Sequence, residues 1–175
     1  HPVTREPNTT RKNFNQLILA LKKFPDIQFI FTHPNPDPES HIIISILKKK
    51  LIKNTNFISV KNFGQKFFLT VLKEVDGIIG NSSSGILEMP SFKKGTINIG
   101  NRQKGRIQSK TIINCEAKLL SIEKSIKKLY SKKFKKKIKS TKNLLFKKNT
   151  SKNIANIIAN YPLKKLIKKN FYESS

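Results

Sequence analysis

Three serines and a glutamate carry the most readable chemistry in this chain. Ser82, Ser83 and Ser84 follow the short apolar run Gly77-Ile78-Ile79-Gly80 and Asn81, and Gly85, Ile86, Leu87 and Glu88 come next. The apolar run reads as a buried strand, the serines and Gly85 as a tight polar turn, and Ile86 onward as a helix start. Such a turn presents free backbone N–H groups and the positive end of the helix dipole to whatever sits in it. The natural guest is a phosphate or diphosphate. Glu88, about one helical turn further on, can accept hydrogen bonds from a diol such as a ribose. The same pattern also suits an ordinary strand-to-helix connection whose serines only cap the helix.

The residues needed for a complete catalyst are harder to find. Only ten side chains are acidic. Asp26 follows a proline at a helix exit, Asp37 reads as a helix cap, and Asp76 stands at a strand entrance. Paired carboxylates converging on one bond are not evident, and Glu88 alone does not supply them. His33 and His41 have no third ligand spaced for a metal. The serine turn lacks the Gly-x-Ser-x-Gly frame of a nucleophile elbow, and neither glycine-rich nucleotide motif occurs. The single cysteine, Cys115, excludes an internal disulfide and suits a reducing compartment, so a cytoplasmic setting is expected. The inventory fits a binding half-site with no metal and no cofactor.

The elements that must position this turn follow a repeating grammar. Phe14, Leu17, Ile18, Leu21 and Phe24 recur at helical spacing behind a cap at Thr9 or Thr10, and Pro25 ends that helix. Gln28–Thr32 reads as a buried strand. The proline-rich stretch 33–38 must be a rigid loop at its C-terminal end. Asp37 is expected to cap the next helix with Pro38 at its first position, burying Ile42, Ile43, Ile46, Leu47 and Leu51. Strands are expected at Asn56–Val60, Gly77–Gly80, Gly95–Gly100 and Thr111–Cys115, with a short helix around Phe67, Phe68, Val71 and Leu72. Five such strands alternating with helices predict an α/β fold, a Rossmann-like doubly wound parallel sheet covered on both faces. Ligands bind such sheets beyond the strands' C-terminal ends, where loops 33–38, 61–65 and 81–85 converge.

From Leu119 the pattern is helical and lysine-rich. Ile122, Ile126, Leu129 and Tyr130 form one stripe, continued by Phe134 and Ile138. A further helix is capped by Ser151, and a closing helix is expected over 163–171. The expected division is 1–118 for the domain core and 119–175 for helices packed on it. At 175 residues the chain is long enough for a real core, and no apolar run approaches the ~20 residues of a membrane span. The formal charge of +26 comes from 32 lysines and only 4 arginines, beside 24 isoleucines and 17 asparagines. Base readout and bidentate phosphate contacts favour arginine. The excess lysine therefore reads as solvated decoration from compositional drift, with a basic polyanion-binding module as the alternative of another class.

Four motifs in order carry a family resemblance: His1-Pro2-Val3-Thr4; Phe31-Thr32-x-Pro34-Asn35-x-Asp37; Gly80-Asn81-Ser82-Ser83-Ser84-Gly85-Ile86-Leu87-Glu88; and Pro90 to Gly100 with Arg102-Gln103-x-Gly105-Arg106. Together they resemble the C-terminal half of the hydrolysing UDP-N-acetylglucosamine 2-epimerases of sialic-acid-type pathways, densely to about residue 130 and loosely beyond. The resemblance implies two Rossmann-like domains in a glycosyltransferase-B arrangement, with the UDP-sugar in the cleft between them. It also implies release of UDP by anti-elimination to a glycal, followed by hydration to N-acetylmannosamine. His1 resembles the histidine that reaches the diphosphate and sugar, and Asn35 a residue near the nucleotide. Phe63 falls where the family grips uracil through its backbone. Ser82 and Ser83, in the turn closed by Gly85, match the diphosphate-binding serines, Glu88 the ribose-binding glutamate, and Arg102 the cleft arginine.

Two departures stand out. The family's acid–base carboxylates lie in an N-terminal domain, and the chain opens at His1-Pro2 without a methionine, so it reads as a fragment whose parent supplies that domain and forms a homo-oligomer. Asn143–Asn149 stands where the family often has a glycine-rich segment. Two related chemistries share the visible motifs: hydrolysing epimerisation of UDP-N,N′-diacetylbacillosamine, and a retaining glycosyltransferase domain.

Overall fold

The computed structural model describes residues 1–3, 8–52 and 54–162. Helices and short strands alternate in it: α1 (Thr10–Leu21), β1 (Phe29–Thr32), α2 (Ser40–Leu51), β2 (Phe57–Val60), α3 (Gly64–Glu74), β3 (Gly77–Gly80), α4 (Ser84–Leu87), a 3-10 turn (Met89–Phe92), β4 (Gly95–Ile99), β5 (Ile112–Cys115), α5 (Leu119–Tyr130), α6 (Lys132–Ser140) and α7 (Thr150–Asn160). All five expected strands form, within two residues of their expected ends. Each is a run of aromatic or β-branched residues, or of isoleucines between glycines, punctuated by proline, asparagine or glycine.

Every strand pair is parallel, as the βαβ alternation requires. Phe29 lies opposite Phe57 and Thr32 opposite Val60; Gly77 lies opposite Gly95, and Thr96 opposite Ile112. The α/β class stands, but the strands divide into two sheets, β1-β2 and β3-β4-β5, rather than one. A cavity of about 1400 Å³ is lined by all of β1 and all of β3.

A single apolar cluster nevertheless underlies both sheets. It joins Ile18, Ala20 and Leu21 of α1 and Phe57 of β2 to Ile97 of β4, Ile113 of β5 and the α5–α6 residues Ile122, Ile126, Leu129, Phe134 and Ile138. Full burial of side chains of this size is worth ~1.5–3 kcal/mol each. Edge-to-face contacts of Phe31 with Phe57 (5.2 Å) and Phe14 (6.4 Å) fill the β1 side. On the other side the glycine at 95 is a packing requirement: a Cβ there would stand 2.2 Å from Leu129 Cδ1 and 3.0 Å from Phe134 Cε1.

Polar contacts join α1 to α5. Lys23 Nζ and Lys127 Nζ hold the Glu123 carboxylate at 2.8 and 2.6 Å, and their hydrogen bonds, Lys127 first, lower its pKa to about 2. Gln16 Oε1 accepts from the Leu119 amide at 3.0 Å. All six lysines of α6 are exposed while Phe134 and Ile138 are buried, so that lysine run is a solvated face.

Two helix starts differ from expectation. Asp37 does not cap α2, which begins at Ser40 behind Glu39 in the left-handed conformation (φ 64°). Glu39 turns back instead: its carboxylate accepts from the Asn8 amide at 3.0 Å and from the Thr10 hydroxyl. Helix α7 begins at Thr150 behind a left-handed Asn149, so Ser151 is not its cap.

The chain separates into two compact units, His1–Leu144 and Leu145–Ser175. Helices α5 and α6 belong to the first. Helix α7 belongs to the second, and its Ile154, Ile157 and Ile158 are exposed. The closing helix expected over 163–171 lies outside the described residues. Among the described residues no helix is long and apolar enough to cross a membrane.

Candidate functional site

Parallel strands deliver their following loops to one end of the sheet. At that end the first residue of the chain meets the residue that follows β3. The His1 amine donates to Asn81 Oδ1 at 2.8 Å, and Asn81 Nδ2 donates to the His1 carbonyl, also at 2.8 Å. The Asn81 backbone carbonyl accepts from Arg102 Nη1 at 3.1 Å and from Gln103 Nε2 at 2.8 Å. The Asn35 amide donates to His1 Nδ1 at 3.4 Å, with Asp37 Oδ2 3.8 Å from the same nitrogen. One asparagine thus gathers His1, Arg102 and Gln103, and through His1 the loop that carries Asn35. Burial, followed by the charge of Arg102, lowers the pKa of the His1 amine to about 6, against the opposing pull of Asp37.

The serine turn follows directly. Helix α4 spans only Ser84–Leu87, so its dipole is short and any anion held here is held by amides and hydroxyls. The helical bonding begins with the Ile86 and Leu87 amides, both donating to the Ser83 carbonyl at 2.9 Å, and so leaves the amides of Ser82, Ser83 and Gly85 outside it. Ser82 Oγ lies 3.4 Å from the Ser84 amide. Glycine is required at 85 by close approach: a Cβ there would stand 2.6 Å from Thr96 Cγ2, while Thr96 Oγ1 donates to the Gly85 carbonyl at 2.7 Å. Strand β4 therefore props the turn from beneath.

Glu88 closes α4 rather than lying one turn inside a longer helix, since the chain passes at once into the 3-10 turn. Among the described residues its Oε2 is buried without a hydrogen-bond partner, as is also true of Gln103 Oε1. Buried polar atoms are nearly always paired, so this orphan acceptor in the residue that closes α4 stands out. Phe63 precedes Gly64 (φ 66°), whose amide donates to Asn62 Oδ1 at 2.7 Å. Its ring lies parallel to that of Phe67, with centroids 6.3 Å apart.

Of the residues singled out in the sequence, His1, Phe63 and Ser82 line the cavity between β1 and β3; Asn35, Ser83, Gly85, Glu88 and Arg102 lie outside its lining. Asn81 and Gln103 were legible as motif letters but not as the junction they form. The sequence signal at Asn81 is an amide side chain directly after a strand, and its His1 partner lies 80 residues away. Among the described residues no three His, Cys, Asp or Glu side chains come together to hold a metal ion. His33 Nε2 instead pairs with Ser59 Oγ at 3.0 Å.

A family model described as UDP-N-acetylglucosamine 2-epimerase matches residues 1–159. The chain belongs to the UDP-N-acetylglucosamine 2-epimerase family. It is 38% identical over 136 residues to a GDP/UDP-N,N′-diacetylbacillosamine 2-epimerase (hydrolysing) of Campylobacter jejuni, covering 77% of this chain and 35% of that protein. It is 33% identical over 162 residues to the polysialic acid biosynthesis protein P7 of Escherichia coli, covering 92% and 41%. A UDP-N-acetylglucosamine 2-epimerase of Neisseria meningitidis is 32% identical over 116 residues, covering 66% and 30%. The chain thus spans roughly a third of the length of these family members. The crystal structure of Methanocaldococcus jannaschii UDP-GlcNAc 2-epimerase, in complex with UDP-GlcNAc and UDP, superimposes with a TM-score of 0.69 over 86% of this chain and 41% of that one, at 17% identity. The fold is therefore α/β, with parallel sheets and helices, and glycosyltransferase-B-like.

Proposed function

We propose that this chain is the UDP-binding half of a hydrolysing UDP-N-acetylglucosamine 2-epimerase. The carrying observation is the Asn81–Gly85 turn, whose Ser82, Ser83 and Gly85 amides lie outside the helical bonding of α4, with Glu88 three residues on and its buried Oε2 without a partner among the described residues, in a member of this family. In this reading Ser82, Ser83 and the amide of Gly85 hold the diphosphate, and Glu88 accepts from the ribose hydroxyls. The Phe63 backbone meets uracil beside the loop of Asn35. His1 and Arg102 face the β-phosphate and sugar from the Asn81 junction.

The work of these residues is to stabilise a leaving group. Elimination removes the sugar's C2 proton and breaks the bond from C1 to the UDP oxygen, leaving a glycal, and hydration then gives the free 2-epimer. Negative charge grows on the β-phosphate as that bond breaks, and prearranged N–H donors with a fixed guanidinium stabilise it without reorganisation. The base and acid come from an N-terminal domain of the parent, so the 175 residues alone bind UDP weakly and do not turn over. A cytoplasmic homo-oligomer is the proposed setting.

A second substrate has its own support. The Campylobacter relative, named for N,N′-diacetylbacillosamine, is 38% identical, against 32% for the Neisseria enzyme named for N-acetylglucosamine. The parent protein, incubated with either UDP-sugar, will release UDP together with the matching free 2-epimer. Transfer of the sugar to an acceptor without a free epimer would make it a glycosyltransferase, and no UDP from either donor would sink the reading.

A further inference from the structure

The helical path breaks at Glu88. Helix α4 ends at Leu87 and the 3-10 turn begins at Met89, so Glu88 caps both, with φ −101° and ψ −48°. The break is written in the sequence, since Pro90 has no N–H with which to continue α-helical bonding. A continuing α-helix would send the Ser91 amide back four residues to the Leu87 carbonyl. It donates instead to the Glu88 carbonyl, at 3.0 Å. The Leu87 carbonyl is thereby left as a helix-end acceptor that needs a donor from elsewhere.

Asn143 supplies that donor from 56 residues away. Its Nδ2 donates to the Leu87 carbonyl at 3.3 Å and to Ser91 Oγ at 2.6 Å. An amide nitrogen carries two hydrogens, one for each acceptor. Leu87 and Ser91 stand on opposite sides of the break, so one side chain bridges the residue between them that carries the carboxylate. On the inner side Met89 and Pro90 are fully buried. Asn143 is delivered by α6, whose Phe134 and Ile138 belong to the core. The end of α6 is closed by Thr141 Oγ1, which donates to the Lys137 carbonyl at 2.7 Å. Glu88 is thus held between an apolar anchor within and an amide bridge without.

We propose that Asn143 is a positioning residue for ribose recognition: it fixes the helix break that places the Glu88 carboxylate, and so sets the selectivity for a nucleotide bearing the ribose diol. The proposal rests on the reading of Glu88 as the ribose acceptor. Recognition of a diol requires the carboxylate to be placed to within about 0.5 Å. Among the described residues the buried Glu88 Oε2 has no partner, so the backbone, rather than a bond at that oxygen, sets where it lies. A helix of four residues has few bonds of its own with which to hold that backbone. The stretch after α6, where Asn143 stands in place of a glycine-rich segment, supplies what the short helix lacks.

The test measures the affinities of this chain for UDP and for 2′,3′-dideoxyuridine diphosphate, which lacks the diol, by ligand-observed NMR. The ratio of the two is the readout, taken for the unaltered chain, Glu88→Ala, Asn143→Ala and the double variant. In Asn143→Ala, UDP affinity falls about fivefold, the scale of one hydrogen bond, and affinity for the dideoxy nucleotide is unchanged. Glu88→Ala removes the preference for the diol, and adding Asn143→Ala to it has no further effect, as expected of two residues acting through one contact. If Glu88→Ala removes the preference and Asn143→Ala does not, the proposal is overturned and the nucleotide reading stands. Equal weakening of both ligands by Asn143→Ala also overturns it, since that is a general loss of structure. A preference for the diol that is absent from the unaltered chain, or unaffected by Glu88→Ala, overturns the reading of Glu88 and this proposal with it. Should Asn143→Ala fail to fold, Ser91→Ala, which removes one of the two acceptors, is read in its place: it must lower the ratio, and an unchanged ratio overturns the proposal.

Discussion

Replacing Asn81 by alanine tests whether one side chain assembles the site. The substitution removes two hydrogen bonds of 2.8 Å, one from the His1 amine and one to the His1 carbonyl. Each intramolecular bond is worth ~1 kcal/mol net, and leaving a buried partner unsatisfied raises that to ~1–3 kcal/mol. Both His1 groups lie in a partly buried setting, so the expected loss is about 2–4 kcal/mol. The bonds from Arg102 and Gln103 go to the Asn81 backbone carbonyl and survive the change. The lesion is therefore confined to His1 and, through its ring, to Asn35. Urea unfolding followed by circular dichroism measures the stability, with an unchanged denaturant slope showing that the fold is retained. Because His1 is expected to face the phosphates, UDP affinity should also fall, by about tenfold for each 1.4 kcal/mol of binding free energy removed. A loss of stability below about 0.5 kcal/mol, the usual range for surface substitutions, together with unchanged UDP affinity would refute the idea that Asn81 organises the site.

Three further outcomes are expected. Stability should fall between pH 8 and pH 6: the His1 amine titrates at 8.0 when unfolded and at about 6 when folded, so the unfolded state binds the extra proton across that window, the loss reaching roughly 3 kcal/mol below it and vanishing above pH 8. Comparing unfolding curves of the native and Nα-acetylated chains at each pH isolates this group, and identical pH profiles would contradict it. Gly95→Ala should destabilise by about 1–3 kcal/mol through overpacking, since the new methyl meets Leu129 Cδ1 at 2.2 Å, and Leu129→Ala in the same chain should recover part of that loss in a double-mutant cycle. Changing Lys132, Lys133 and Lys136 of α6 to glutamine should weaken retention on heparin while leaving UDP affinity within about twofold, because all three are exposed and face only salt-screened solvent.

The strands were legible because each is a local signal, such as Phe29–Thr32 between a proline-rich exit and an asparagine turn. The serine turn was legible for the same reason, with its chemistry contained in consecutive residues. What was not legible depends on distant partners. The late start of α2 follows from Glu39 binding Asn8 and Thr10, about 30 residues back. The role of Asn81 depends on His1 and on Arg102. The division into two sheets depends on which strand edges face each other, and hydrophobic periodicity does not report that. Family resemblance supplied the candidate site residues, and the structure added the asparagine that joins two of them, His1 and Arg102, and the orphan oxygen of Glu88.

The most direct test of the central claim is a calorimetric titration of this chain with UDP, repeated with CMP as competitor and with Ser82→Ala, Glu88→Ala and the double variant. Weak but UDP-selective binding is expected, reduced by each substitution and abolished in the double variant while the fold persists by circular dichroism. UDP binding that survives the double substitution unchanged, or no UDP-selective heat from the folded chain, would contradict it.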